Sequence, residues 1–193
     1  METKIKKKRK KKAIVIGLVG KAGSGKDTVF SLFQSMVPDK EFVRLAFGDG
    51  VKQEVADRHE IPVQAIEENK EGFRMILQKW GTDYRRKQNE EYWINKIRTE
   101  VSFLRDNVDV VVITDVRFLN EVDYIKEECK GFIVRVVGNQ QRVLKSTHRS
   151  EVELDHISPD WLLPNRKGLP ELAEGISFLI QELDLMEDTD GQG

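Results

Sequence analysis

The stretch from Ala13 to Phe30, AIVIGLVGKAGSGKDTVF, restricts the fold more than any other part of the chain. Its apolar, β-branched run from Ala13 to Val19 predicts a buried parallel strand. Gly20, Gly23 and Gly25 then make a tight loop, and Lys26 opens an amphipathic helix that runs to about Met36. Strand, glycine loop and helix in that order form a phosphate-binding loop. Glycines let backbone N–H groups turn inward around phosphate oxygens, the helix N-terminus adds positive dipole, and Lys26 adds a mobile ammonium. The expected guest is a nucleoside triphosphate. From Gly20 to Lys26 the spacing is regular, but Asp27 follows the lysine where Ser or Thr is commoner, and Thr28 comes one place later. Either Asp27 or Thr28, directly or through water, is then left to serve Mg²⁺, and the spacing does not choose between them.

Downstream, apolar runs and helical periods alternate. Residues 41–47 (EFVRLAF) predict a second strand, broken by Phe47-Gly48-Asp49-Gly50 before a helix over 51–59. Asp49 and Lys52 fall at the C-terminal end of that strand, where open α/β sheets place ligands, and are candidate acceptor-site residues. Helices are expected over 67–80, ended by Gly81-Thr82-Asp83, and over 90–107. Between them Arg85 and Arg86 form a basic pair whose guanidinium forks suit phosphate. Residues 109–114 (DVVVIT) are a central strand that delivers Asp115, followed by Arg117. An acid there can orient Mg²⁺, or it can cap the helix expected over 119–130. A fourth strand spans 131–137. The polar segment 139–158 reads as a short helix within a lid, 160–163 as a short last strand, and 169–185 as a closing helix. The expected fold is α/β, with three layers around a mainly parallel sheet of about five strands.

Composition narrows the setting. A length of 193 residues suits one domain, expected here over 13–185. No apolar run approaches the ~20 residues of a membrane span. A single cysteine, Cys129, cannot form an internal disulfide, so a reducing, cytoplasmic location is expected. The net charge of −1 conceals a split: the first twelve residues hold eight Lys/Arg and one acid, and the remainder carries −8. Residues 1–12 are expected to be a solvated basic tail, with residues 4–12 the only stretch suited to nucleic acid, and residues 186–193 an acidic tail.

Several strings together, GKAGSGKDT (20–28), FGDGVKQEV (47–55), LQKWGTDYRR (77–86), ITDVRFLNEVD (113–123), HRSE (148–151) and DWLLPN with GL after it (160–169), resemble the phage-type deoxynucleoside monophosphate kinases. The resemblance implies the P-loop NTPase fold of monophosphate kinases, with a lid insert at about 139–158. It also implies ATP and Mg²⁺ as cofactors and a deoxynucleoside monophosphate as the other substrate. Carried over by motif, Gly20, Ala22, Gly23, Ser24, Gly25 and Lys26 would hold ATP, with Arg142 from the lid. Asp27, Thr28 and Asp115 would serve the metal, and Lys26, Asp115, Arg117 and Arg86 would line the transfer site. Asp49, Lys52, Arg86 and Glu151 would face the acceptor. A homodimer is compatible with the chain. Phosphomevalonate kinase of the animal type is similar in length, in its GK-x-x-SGKD loop and in a strand followed by Asp-x-Arg. The GTD turn, Phe118 and the HRSE string favour the nucleotide acceptor. A further alternative is a non-enzymatic, nucleotide-switched binder that docks its basic tail on nucleic acid.

Overall fold

A computed structural model describes residues 11–138 and 149–185, apart from the side chains of Ser150 and Glu151. Most of the two expected tails, Arg142 and the first half of the expected lid therefore lie outside the described residues. Among the described residues five strands form one sheet: β1 (Ile14–Val19), β2 (Phe42–Leu45), β3 (Val110–Val116), β4 (Phe132–Gly138) and β5 (Trp161–Asn165). Their order is β2-β3-β1-β4-β5 and every neighbouring pair is parallel. The central strands β1 and β3 read as unbroken apolar runs because helices cover both of their faces. Val15, Val111 and Ile113 join one core with Trp93, Ile94 and Val101. Ile16, Leu18 and Val112 join the other with Val29, Phe33, Leu172 and Ile176.

The helices are α1 (Lys26–Met36), α2 (Phe47–His59), α3 (Val63–Glu68), α4 (Lys70–Gln78), α5 (Tyr92–Asn107), α6 (Leu119–Asp123), α7 (Arg149–His156) and α8 (Leu169–Glu182). The expected three-layer architecture is present: α1 and α8 pack on one side of the sheet, and α2 and α5 on the other. Within the expected lid segment, α7 is the part described.

Four boundaries differ from expectation. The FGDG stretch is the first turn of α2, because Asp115 at the tip of β3 accepts the N–H groups of Phe47 and Gly48 at 2.8 and 2.7 Å. Asp115 thus caps α2; α6 begins at Leu119 with Glu121 accepting at its N-terminus instead. The helix expected over 67–80 is two, α3 and α4, divided at Asn69, whose side chain accepts the Gly72 N–H at 3.1 Å. Gly81-Thr82-Asp83 does not end it: the chain widens into a π-helical segment, Lys79–Arg86, and Trp93 donates to the Gly81 carbonyl at 2.9 Å. A second π-helical turn, Tyr124–Glu128, interrupts the helix expected over 119–130. β5 runs through Pro164, which an edge strand tolerates because its missing N–H interrupts no ladder.

Candidate active site

Parallel strands with right-handed crossovers bring the β1–α1 loop, the start of α2 and the end of β3 to one edge of the sheet. In the loop, Gly25 sits at φ 103, the left-handed conformation that glycine adopts without strain, and serves as the α1 N-cap. Gly20 is needed for close approach: a Cβ there would lie 2.5 Å from Ser24 Oγ and 2.7 Å from the Val136 carbonyl oxygen. Lys26 Nζ donates to the carbonyls of Gly20 at 2.6 Å and Lys21 at 3.1 Å, which lays its ammonium across the loop. Ser24 is 2% exposed and its Oγ has no hydrogen-bond partner among the described residues. Asn165, at the end of β5, donates to the Ser24 carbonyl at 2.9 Å and ties the loop to the edge strand. Among the described residues no side chain caps α1, and Asp27 and Thr28 are exposed on its first turn. Such a loop, with an uncapped helix N-terminus and a lysine across it, fits a polyphosphate.

Beside the loop lies a cleft of about 390 Å³. Ala22 brings the loop to its rim, and Lys52, Arg86, Asp115 and Arg117 all line it. Its apolar wall is Phe47, Val51, Leu77, Trp93 and Phe118. Phe47 and Trp93 are buried, whereas Tyr84, another aromatic of the acceptor region, is 46% exposed outside the cleft lining. Lys70, Arg74 and Gln78 stand four residues apart on α4 and face the same space. A cleft beside the phosphate loop that is lined by both cations and aromatic rings suits a ligand with an anionic part and a planar part.

Arg86 and Glu121 form a buried ion pair in the cleft wall, 4% and 1% exposed. Arg86 also donates to the Glu90 carbonyl at 3.1 Å and stacks over the Phe118 ring at 3.9 Å. Burial pushes the Glu121 carboxyl up, to about 7, against the pull of Arg86 and of the Arg117 and Phe118 N–H groups. Burial likewise weighs against the charge on Arg86.

Asp49 stands outside the cleft lining, bridging Arg44 and Lys52 at 2.8 Å each. Burial opposes the Lys52 charge, but hydrogen bonds to Asp49 and Glu67 outweigh it and raise its pKa. Hydrogen bonds from Lys52 and Lys70 in turn hold Glu67 at about 2. On α2, Glu54 accepts from Arg85 Nε at 2.8 Å, Trp80 Nε1 at 3.0 Å, Tyr92 at 2.6 Å and Lys96 at 2.8 Å. This joins α2, the π segment and α5, and commits Arg85 away from the cleft.

The structure thus brings Lys52, Arg86, Asp115 and Arg117 together beside the loop, leaves Asp49 on the flank, and places Asp27 and Thr28 on α1 outside the cleft lining. Arg142 and the Glu151 side chain lie outside the described residues. Sequence reasoning missed Glu121, Arg74, Asn165 and the hub at Glu54. Glu121 and Asn165 nonetheless stand inside strings already singled out, TDVRFLNE and DWLLPN.

Comparison with known proteins agrees with this geometry. The family model described as "Phosphomevalonate kinase" matches residues 18–131. A protein of Acanthamoeba polyphaga mimivirus, named "Putative deoxynucleotide monophosphate kinase", is 30% identical over 90% of this chain and 99% of its own length. The deoxynucleoside-5'-monophosphate kinase of Escherichia phage T5 is 38% identical over 47% of this chain, and the match spans only 41% of that protein. Among solved structures, the APS kinase of Mycobacterium tuberculosis, crystallised with AMPPNP and APS, shares the fold at 14% identity and a TM-score of 0.50, over 90% of this chain and 98% of that one. The chain belongs to the P-loop kinases: to the family that the phosphomevalonate kinase model delimits and, through its full-length relative, to the deoxynucleoside monophosphate kinases.

Proposed function

We propose that the protein transfers the γ-phosphoryl group of ATP to a deoxynucleoside 5'-monophosphate, yielding ADP and the diphosphate. The observation that carries the proposal is the cleft itself: Arg86, Arg117 and Lys52 line it together with Ala22 of the phosphate loop, and Trp93 and Phe47 line it with them. A phosphate monoester has its second pKa near ~6, so the attacking oxygen is already ionised at neutral pH and no general base is required. What the protein must supply is charge compensation, because two anions have to meet in line. Lys26 serves the donor phosphates, and Arg86 and Arg117 the acceptor phosphate. Among the described residues no three His, Cys, Asp or Glu side chains gather into a metal cage. Mg²⁺ in this class of site is held largely by phosphate oxygens, and Asp27 or Thr28 with Asp115 are the side chains that would complete its shell. Bound there, the ion would neutralise charge developing on the donor. The relatives' names support the nucleotide acceptor, and the buried cysteine supports a reducing, cytoplasmic setting.

The family model favours a second reading, phosphomevalonate as acceptor. That compound has the phosphate but no planar base to meet Trp93 and Phe47. A coupled ADP-release assay with the deoxynucleoside monophosphates, the ribonucleotides and phosphomevalonate tests the proposal. Turnover of a deoxynucleotide is expected, and turnover of phosphomevalonate alone would overturn it.

A further inference from the structure

The structure assigns Glu121 a positioning role: its buried carboxylate orients the Arg86 guanidinium toward the acceptor phosphate by tying it to the turn that carries Arg117. The inference rests on the reading of the cleft as an acceptor site.

The geometry divides the carboxylate between two tasks. Oε2 accepts the N–H groups of Arg117 at 2.8 Å and Phe118 at 3.2 Å, which is all the N-terminus of a five-residue helix asks of it. Oε1 is left for Arg86 Nη2, donated from the end of the π segment 35 residues earlier. The rest of the guanidinium is held as firmly. Nη1 donates to the Glu90 carbonyl at 3.1 Å and to Asn120 Oδ1 at 3.4 Å, and the plane lies over the Phe118 ring at 3.9 Å. Acceptors on α6 and on the turn before α5, with the Phe118 ring, therefore fix one cation in one orientation.

Capping does not account for the arrangement. A Gln at 121 would still offer an oxygen to the Arg117 and Phe118 N–H groups without burying a charge. Buried ion pairs are seldom more stable than apolar side chains of the same volume, so this one is not explained by stability. It is explained if a guanidinium must present a fixed face to a phosphate, since an Arg fork discriminates by geometry as well as charge. Arg86, Arg117, Phe118 and Glu121 all border the same cleft. The π-helical widening of Lys79–Arg86 belongs to the same device, because it turns Arg85 to the Glu54 hub and its neighbour Arg86 inward to Glu121.

The test is a cycle of full-length variants, Glu121→Gln, Glu121→Leu, Arg86→Met and Arg86→Met/Glu121→Leu. Each is followed by urea midpoint and by KM for ATP and for whichever monophosphate the wild type phosphorylates. Glu121→Gln is expected to raise the acceptor KM about tenfold or more, the worth of a charge-assisted contact, and to leave the ATP KM within about twofold. Glu121→Leu alone strands a buried guanidinium and is expected to lower the midpoint. With Arg86→Met the midpoint recovers, while the acceptor KM stays at the Arg86→Met value because Glu121 has nothing left to orient. An unchanged acceptor KM in Glu121→Gln, or a double variant that regains both stability and acceptor KM, would overturn the role while leaving the kinase reading standing. A wild type that phosphorylates no monophosphate would overturn both.

Discussion

Replacing Asp115 with asparagine should destabilise this protein measurably before any substrate is added. The carboxylate accepts two backbone N–H groups, from Phe47 at 2.8 Å and Gly48 at 2.7 Å, at the first turn of a 13-residue helix. Each charge-assisted bond contributes about 1.5–3 kcal/mol, and the negative charge also complements the positive end of the helix. Asparagine keeps one oxygen and sets an NH₂ against the second N–H. One bond then becomes neutral, at about 1 kcal/mol, and a part-buried donor is left without an acceptor. Together these amount to about 3 kcal/mol, or a fall in Tm of about 6–12 °C for a chain of this size. Calorimetry of wild type and Asp115→Asn without nucleotide, paired with urea titrations to check for an unchanged m-value, gives the number. A shift under about 2 °C would show that α2 is held by something other than this cap. Because α2 carries Phe47 and Lys52 into the cleft, the same substitution should also raise the acceptor KM.

Other expectations follow from the same contacts. Lys26→Ala should lower kcat by about two orders of magnitude or more, since it removes a charge used in the transition state, with Tm shifted only slightly; steady-state kinetics with near-normal kcat would contradict its donor-side assignment. Asn165→Ala removes the 2.9 Å tie to the Ser24 carbonyl and should raise the ATP KM several-fold with the acceptor KM little changed, as isothermal titration with a non-hydrolysable nucleotide would check. Burial alone would raise the Glu54 carboxyl, but hydrogen bonds from Lys96, Tyr92, Trp80 and Arg85 hold it at about 2 instead of 4.5. The unfolded chain therefore takes up this proton first as pH falls, so the stabilisation is complete above about pH 4.5 and drains away toward pH 2. Glu54→Gln should be less stable at pH 7 and show a shallower acid limb in urea midpoints measured across that range; an unchanged limb would remove Glu54 from the account.

What the amino-acid sequence reveals about this protein is chiefly what its chemistry settles locally. The phosphate loop declares itself because strand, glycines, lysine and helix are contiguous, and β3 does so because a central parallel strand has no polar face to interrupt it. The α8 stripe of Leu172, Ile176, Leu179 and Ile180 is buried as its period requires. Apart from the break at Asn69, which caps Gly72 three residues on, the misreadings share a cause: the deciding partner lies elsewhere along the chain. FGDG has the composition of a break and becomes a helical turn because Asp115 arrives from 67 and 68 residues downstream. GTD looks like a stop, yet the Gly81 carbonyl is taken by Trp93. Helical periodicity puts Glu54 on the polar side of its helix without saying that four donors from elsewhere converge there. The sequence marks Arg86 as a phosphate-binding cation without revealing its burial, which the acid at 121 accompanies. Motif spacing puts Asp49 near the acceptor, and the structure pairs it with Arg44 and with Lys52 of the cleft lining.

The central claim is that the loop and the cationic cleft bring two phosphate esters together for direct transfer. The most direct measurement is ³¹P NMR of the wild-type protein with ATP, Mg²⁺ and each deoxynucleoside monophosphate in turn. The account predicts that ADP and a deoxynucleoside diphosphate grow in equal amounts, with little inorganic phosphate. Inorganic phosphate growing with ADP while every monophosphate persists would contradict it.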